Sequence, residues 1–316
     1  MLPLAETIAF VFGLIGLGYV AGWIGLLRTQ VGEALTQFAI VAAVPALLFR
    51  TLSTLDLGDR SPWPLWLCYF SAIPVVWAAG HLITTRVFGR EPAAGVVGGV
   101  ASSFSNLLLL GIPLVLGVFG QPGIDVLSLL LAIHLPVMMA ASIVAFELVQ
   151  RGEGKPSSVG RIVLDFLRNL ITNPLIVGIL AGLAWRATGL ALPSVPARII
   201  DAFAGTAGTV ALFAMGLSLR GYGLGGNVRP GIALSALKLL LQPAAVLAMV
   251  LAIGLPPLAA KIAVVAAGLP TGINPYLIAT RFGTGQTLAS NTMTISTMGA
   301  VVTTGLWLAV VQAIFG

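Results

Sequence analysis

The chain has 316 residues, 58% of them hydrophobic and 8% charged, with a formal net charge of +6. That much apolar surface does not fit inside one soluble core, so the composition excludes a soluble globular domain and implies a polytopic membrane protein. The Lys and Arg residues are scattered over short polar segments and build no basic face, which argues against nucleic acid as a partner.

A helix needs about 20 apolar residues to cross about 30 Å of hydrocarbon. Runs of that kind are predicted at 4–27, 31–52, 63–87, 93–119, 123–149, 169–190, 199–220, 231–254, 258–281 and 286–315, ten in all. The first run has no Lys or Arg before it and no small-residue cleavage site, so it reads as a retained span and not a signal peptide. The longest polar stretch, Gln150 to Arg161, divides the spans five and five. Residues 1–150 are therefore expected to form a first five-helix repeat, 151–168 a cytoplasmic linker, and 169–316 a second repeat. An odd number of spans inverts the second repeat relative to the first. Faint internal similarity agrees: Gly111-Ile112-Pro113 precedes Phe119-Gly120, and Gly272-Ile273-Asn274-Pro275 precedes Phe282-Gly283.

With the amino terminus outside, the cytoplasmic loops hold Arg28, Arg86, Arg90, Arg151, Lys155, Arg161, Arg168, Arg220, Arg229 and Arg281. The other side holds Arg50, Arg60, Arg186, Arg198 and Lys261. The excess of positive charge inside predicts both termini outside, with the plasma membrane as the expected location.

Two of the apolar runs are interrupted at matching places in the two halves: Asn106-Leu-Leu-Leu-Leu-Gly111-Ile112-Pro113 and Gly268-Leu-Pro270-Thr271-Gly272-Ile273-Asn274-Pro275. Proline lacks the N–H that would bond four residues back, so Pro113, Pro270 and Pro275 free the carbonyls of Leu109, Ala266 and Thr271. Freed backbone groups at bilayer depth are tolerated where they face protein or a cavity, and such paired breaks mark the substrate sites of secondary transporters. The amino ends of the second half-helices carry partial positive charge and offer N–H donors to an anion. The alternative is a plain proline kink. Asn106 and Asn274 bring amides that can bond a carboxylate or a freed carbonyl, or serve as interhelical glue. Ser105 and its neighbours Ser102 and Ser103 can contribute hydroxyls or bond back to their own helix. Gly111, Thr271 and Gly272 complete the candidate set.

Two ionisable groups fall inside spans. Lys238 is costly at that depth and should face the interior, where it attracts an anionic substrate, neutralises carbonyls at the second break, or else snorkels to the interface. His134 either carries a proton in a coupled cycle or is a neutral histidine bonded to a neighbouring helix. No Asp or Glu is placed at the midplane, which disfavours a cation exchanger built on paired carboxylates and suits an anion carrier. Cys68, the single cysteine, is expected to be a small buried hydrophobe. Neither a metal motif nor a nucleophile with its base is present, so no catalytic residue, metal or cofactor is expected, and coupling stays open between potential-driven uniport, a proton and sodium.

The stretches Asn106-Leu-Leu-Leu-Leu-Gly-Ile-Pro-Leu, Leu269-Pro-Thr-Gly-Ile-Asn-Pro-Tyr-Leu and Val44-Pro45-Ala46-Leu47-Leu48-Phe49 resemble the auxin efflux carrier family over nearly the whole chain. That family includes plant auxin exporters and bacterial carriers of malonate and malate, and the short central linker fits the compact bacterial form. The resemblance implies an all-α fold like that of the bile-acid sodium symporters and sodium/proton antiporters. In it, helices 4 and 9 cross at their breaks, helices 1, 2, 6 and 7 form a scaffold, helices 3–5 and 8–10 form a moving transport domain, and two subunits pair as a homodimer. Asn106 and Pro113 match the family's fourth-helix motif, whereas Asn274 stands where plant members often carry an apolar residue. The expected function is elevator-type transport of small organic anions such as mono- or dicarboxylates. The alternatives are a membrane anion sensor that does not transport, and a cation-coupled symporter of another small solute.

Overall fold

The computed structural model describes residues 2–54, 61–152, 168, 171–222 and 224–316. Most of the expected linker, 151–168, lies outside them. Among the described residues the regular structure is helical: α1 (Leu2–Trp23), α2 (Thr29–Phe38), α3 (Val44–Thr54), α4 (Trp63–Leu82), α5 (Pro92–Ser103), α6 (Ile112–Gly152), α7 (Pro174–Ala187), α8 (Ser194–Tyr222), α9 (Arg229–Ala236), α10 (Gln242–Ile253), α11 (Pro257–Gly268), α12 (Asn274–Phe282) and α13 (Gln286–Phe315). Short π-helical turns at Ala39–Ala43, Ile83–Val87, Leu107–Gly111 and Leu237–Leu241 join or extend several of them.

Among the described residues seven continuous helical stretches are long and apolar enough to cross a membrane: Ala5–Trp23, Gln30–Thr54, Trp63–Val87, Leu107–Val149, Ser194–Leu219, Arg229–Ile253 and Gln286–Phe315. Two of the ten expected runs are not single helices. The 93–119 run stops at Ser103, where Phe104 turns extended (φ −84°, ψ 104°), and helix resumes only at the π-turn from Leu107. The 258–281 run stops at Gly268, with Leu269 extended (φ −65°, ψ 150°), and restarts at Asn274. A further kink divides α6 at Gly120, whose backbone (φ 66°, ψ −160°) only glycine adopts readily. The prolines sit differently from a simple helix-breaking pattern. Pro275 occupies the first turn of α12, where a missing N–H is harmless, so it starts a second half-helix rather than ending the first, whereas Pro113 follows the π-turn Leu107–Gly111 inside a helical stretch that has already restarted at Leu107.

The chain divides into two compact units. One comprises Met1–Ser61, Leu108–Ile133 and Val163–Gly221. Its helices approach closely through glycine: a Cβ at Gly178 of α7 would lie 2.7 Å from the Pro45 carbonyl oxygen of α3, and one at Gly182 would lie 2.8 Å from that of Phe49. Gly18 of α1 and Gly216 of α8 abut each other's helices in the same way, at Phe213 and Ile15. Small residues allow such backbone proximity where lipid offers no hydrophobic drive for helix association.

The other unit comprises Pro62–Leu107, His134–Ile162 and Tyr222–Gly316. Its inner helices are α5 and α11, buried all round from Ala94 to Ser103 and from Ile262 to Gly268. A helix apolar on every face belongs inside a bundle, and these two are packed against α4, α10 and α13. Both inner helices end at the interruptions.

Candidate functional site

The two interrupted segments meet in this second unit. Ser105 and Thr271 form an isolated antiparallel bridge, and the Asn106 N–H donates to the Pro270 carbonyl at 2.9 Å. Backbone that has left the helix must find partners elsewhere, because an unpaired buried peptide group costs about as much as a lost hydrogen bond. The local side chains supply them. Thr271 Oγ1 donates to the Ala101 carbonyl at 2.6 Å, the Thr271 N–H donates to Ser296 Oγ at 3.0 Å, and the Tyr69 hydroxyl donates to Ser105 Oγ at 3.0 Å.

The third support is the π-turn Leu237–Leu241 and the start of α10. Lys238, fully buried, donates from Nζ to the Ala267 carbonyl at the end of α11, at 2.5 Å. Gln242, also fully buried, donates from Nε2 to the Ser103 carbonyl at the end of α5, at 3.0 Å. Of the readings open for Lys238, snorkelling is excluded by its burial, and its ammonium contacts a carbonyl beside the second break. Trp307 of α13 donates its indole N–H to the Leu239 carbonyl at 2.8 Å, in the π-turn four residues before Pro243, which has no N–H to offer it.

The remaining candidates fall as follows. Asn106 is 7% exposed and lies against Gly272, where a Cβ would stand 3.5 Å from its Cα, Cβ and Cγ atoms. Asn274 is partly buried at the start of α12, followed by buried Pro275. The positive end of that short helix therefore points into the break. Gly111 and Pro113 are grouped with the first unit, where Pro113 packs beside Gly208 of α8. The structure thus gathers Ser105, Asn106, Thr271 and Gly272 around one backbone pairing, while Gly111 and Pro113 take no part in it.

His134 is 3% exposed and enclosed by the rings of Phe104, Tyr69 and Phe70, at centroid distances of 4.8, 5.6 and 6.2 Å. Neither ring nitrogen has a well-aligned hydrogen-bond partner, and the backbone of Ser105 is the polar group that interacts with the ring. Buried polar residues elsewhere are hydroxyls and amides, with no Asp or Glu among the described residues. Cys68 is buried and free, as a small core residue would be.

Sequence reasoning passed over Gln242, Trp307, Tyr69 and Ser296. A signal was present for the first: a glutamine four residues after Lys238 and directly before a proline places a second polar group on the face that Lys238 occupies.

Apolar helices of membrane-crossing length, together with buried, internally satisfied helix interruptions, define an integral membrane transporter. Residues 3–308 match the family model Mem_trans, described as a membrane transport protein, and the chain belongs to that auxin efflux carrier family. It is 30% identical over 315 residues to a Rhizobium meliloti protein named "Putative malonate transporter", covering 93% of this chain and 92% of that one. An uncharacterized transporter of Methanothermobacter thermautotrophicus is 24% identical over 309 residues, covering 96% of each chain. Another, from Methanocaldococcus jannaschii, is 24% identical over 318 residues, covering 97% of this chain and 98% of its own. The family and these relatives are transporters, and the chain is a transporter and not an enzyme.

Proposed function

We propose that the protein is a secondary carrier of small organic anions, mono- or dicarboxylates, that binds its substrate at the paired interruptions around Asn106 and Gly272. One observation carries this reading: the unit that holds the Ser105–Thr271 pairing buries two basic side chains, Lys238 and His134, and its buried residues include no Asp or Glu among those described. A cation would meet an ammonium there with no carboxylate to hold it. An anion meets a compensating charge, the amide of Asn106 and the amino end of α12. The Rhizobium meliloti relative's name supports a short dicarboxylate such as malonate as the first substrate to try.

The carrier is of the elevator type, a 5+5 inverted repeat with ten spans, in which helices 3–5 and 8–10 carry the site and helices 1, 2, 6 and 7 are the fixed part. The two interrupted runs, 93–119 and 258–281, supply the fourth and ninth spans of that arrangement. The excess of cytoplasmic Lys and Arg supports both termini outside.

The test is counterflow of radiolabelled malonate, malate, succinate and lactate in proteoliposomes, beside thermal stabilisation by the same anions. A carrier accumulates label against its own unlabelled substrate and loses this in Asn106→Ala. Saturable stabilisation without counterflow would make the protein a sensor and overturn the proposal.

A further inference from the structure

His134 and Lys238 are buried in the same unit, yet they are held differently. Lys238 has the Ala267 carbonyl on its side-chain nitrogen, whereas neither nitrogen of His134 has a well-aligned partner inside a wall of three aromatic rings, with only the Ser105 backbone beside it. A buried imidazole in that condition forfeits the bonds it would make with water, and such a group calls for a functional reason. The groups that face it can be named by element. From α4 comes Tyr69, whose hydroxyl is already given to Ser105, together with the ring of Phe70. From the end of α5 come Phe104 and the backbone of Ser105. From the π-turn Leu237–Leu241 comes Lys238, close enough to act on the imidazole electrostatically. No carboxylate is among the buried residues described.

Two like charges repel strongly in a low-dielectric interior. An empty site of this composition therefore holds at most one positive charge, and Lys238, with its carbonyl partner, is the better equipped of the two to carry it. A second proton on His134 is stabilised only when a negative charge arrives nearby. Asn106 is the chain neighbour of Ser105, whose backbone lies beside the ring, so an anion at Asn106 arrives there.

We propose that the carrier is a proton–anion symporter in which His134 is the proton-carrying residue. The inference rests on the anion-carrier reading above. On the loading side a lone pair of the imidazole takes a proton from water, the anion and proton cross together, and the proton returns to water on the other side. No other bond changes. A monoanion then crosses without net charge, and a dianion carries one negative charge. By linkage, protonation of His134 raises anion affinity by the same factor by which the bound anion raises proton affinity.

The experiment uses full-length protein in proteoliposomes with trapped pyranine, external radiolabelled malonate, sodium-free buffer and the membrane potential clamped at zero, with protein-free liposomes as the blank. Wild type should acidify the lumen in fixed ratio to malonate taken up. Its steady-state accumulation should rise about tenfold for each unit of inward pH gradient, as one coupled proton requires. His134→Gln, which keeps a polar side chain but does not titrate, should lose both the acidification and the response to the gradient, and whatever malonate counterflow it keeps should no longer strengthen as the pH falls. Malonate uptake by wild type without acidification would overturn the proposal, as would His134→Gln with an unchanged proton ratio. If His134→Gln does not fold, His134→Asn takes its place, and the wild-type ratio decides in any case. Wild type that shows no counterflow of any anion in the panel would overturn the carrier reading, a failure distinct from uptake without protons.

Discussion

Lys238 and Gln242, four residues apart on one face, each donate a hydrogen bond to the last turn of a different interrupted helix: Lys238 to Ala267 of α11 at 2.5 Å, Gln242 to Ser103 of α5 at 3.0 Å. One short stretch of chain thereby supports both breaks. The two residues differ in charge, so they should differ in what their loss does. Gln242→Leu leaves the Ser103 carbonyl unpaired, at about 1–3 kcal/mol, offset in part by removal of the buried Gln242 Oε1, which has no partner of its own. Lys238→Met leaves the Ala267 carbonyl unpaired but also removes the penalty of burying an ammonium, and such exchanges are often close to neutral. Thermal unfolding should therefore show the larger loss in Gln242→Leu, and malonate binding the larger loss in Lys238→Met. The reverse order would mean that Lys238 is structural and the site takes its charge from elsewhere.

Asn106→Ala should fold and fail to bind. The Asn106 backbone bond to Pro270 survives truncation of the side chain, so the segment pairing is kept. A lost hydrogen bond to a charged ligand is worth about 1.5–3 kcal/mol, or roughly one to two orders of magnitude in affinity. Isothermal titration with the best anion of the panel checks this, and an unchanged affinity in a folded variant would remove Asn106 from the site.

Two glycines give a contrast in which geometry decides the outcome. At Gly98 of α5 a Cβ would collide with Thr84 Oγ1 and stand 3.0 Å from the Gly80 carbonyl of α4. Gly98→Ala must therefore push two packed helices apart, at about 1–3 kcal/mol or more. At Gly272 a Cβ would meet Asn106 at 3.5 Å, an ordinary contact. Gly272→Ala should unfold at the wild-type temperature while its methyl covers the face of Asn106 and weakens anion binding. Melting curves and binding isotherms on the two variants separate fold from site.

That the chain is built of apolar helices of membrane-crossing length was legible because an apolar run of about 20 residues matches the thickness of the hydrocarbon layer and exceeds what the core of a small soluble domain can bury. The two breaks were legible because Pro and Gly interrupt those runs at matching places. What sequence could not supply was the location of the break relative to its prolines. Pro113 announces an interruption, yet α5 ends ten residues earlier at Ser103, and helix has restarted at Leu107 before the proline is reached. Pro113 therefore lies after the break, inside the restarted helix, and the pairing falls at Ser105. The partners of the freed carbonyls were also hidden. Thr271, Ser296, Tyr69 and Gln242 reach their acceptors or donors only through tertiary contact, between residues 25 to 170 positions apart. Lys238 was visible as a charge out of place, but its partner at Ala267 was not, since a backbone carbonyl leaves no mark in the sequence.

Trp307 and Pro243 offer the sharpest test of the idea that each freed carbonyl has a dedicated donor. Pro243 removes the N–H that would have served Leu239, and the Trp307 indole serves it from α13 at 2.8 Å. Trp307→Phe keeps most of the ring and deletes the donor, so it should cost about 1–3 kcal/mol of stability for the orphaned carbonyl. In a Pro243→Ala background the helix regains an N–H able to reach Leu239, and the same Trp307→Phe change should cost much less. Unfolding measured across the four proteins of this cycle gives the coupling directly. Equal costs in both backgrounds would mean that Trp307 contributes by packing against Gly268, where a Cβ would stand 3.2 Å from its ring, and not by serving the carbonyl that the proline exposes.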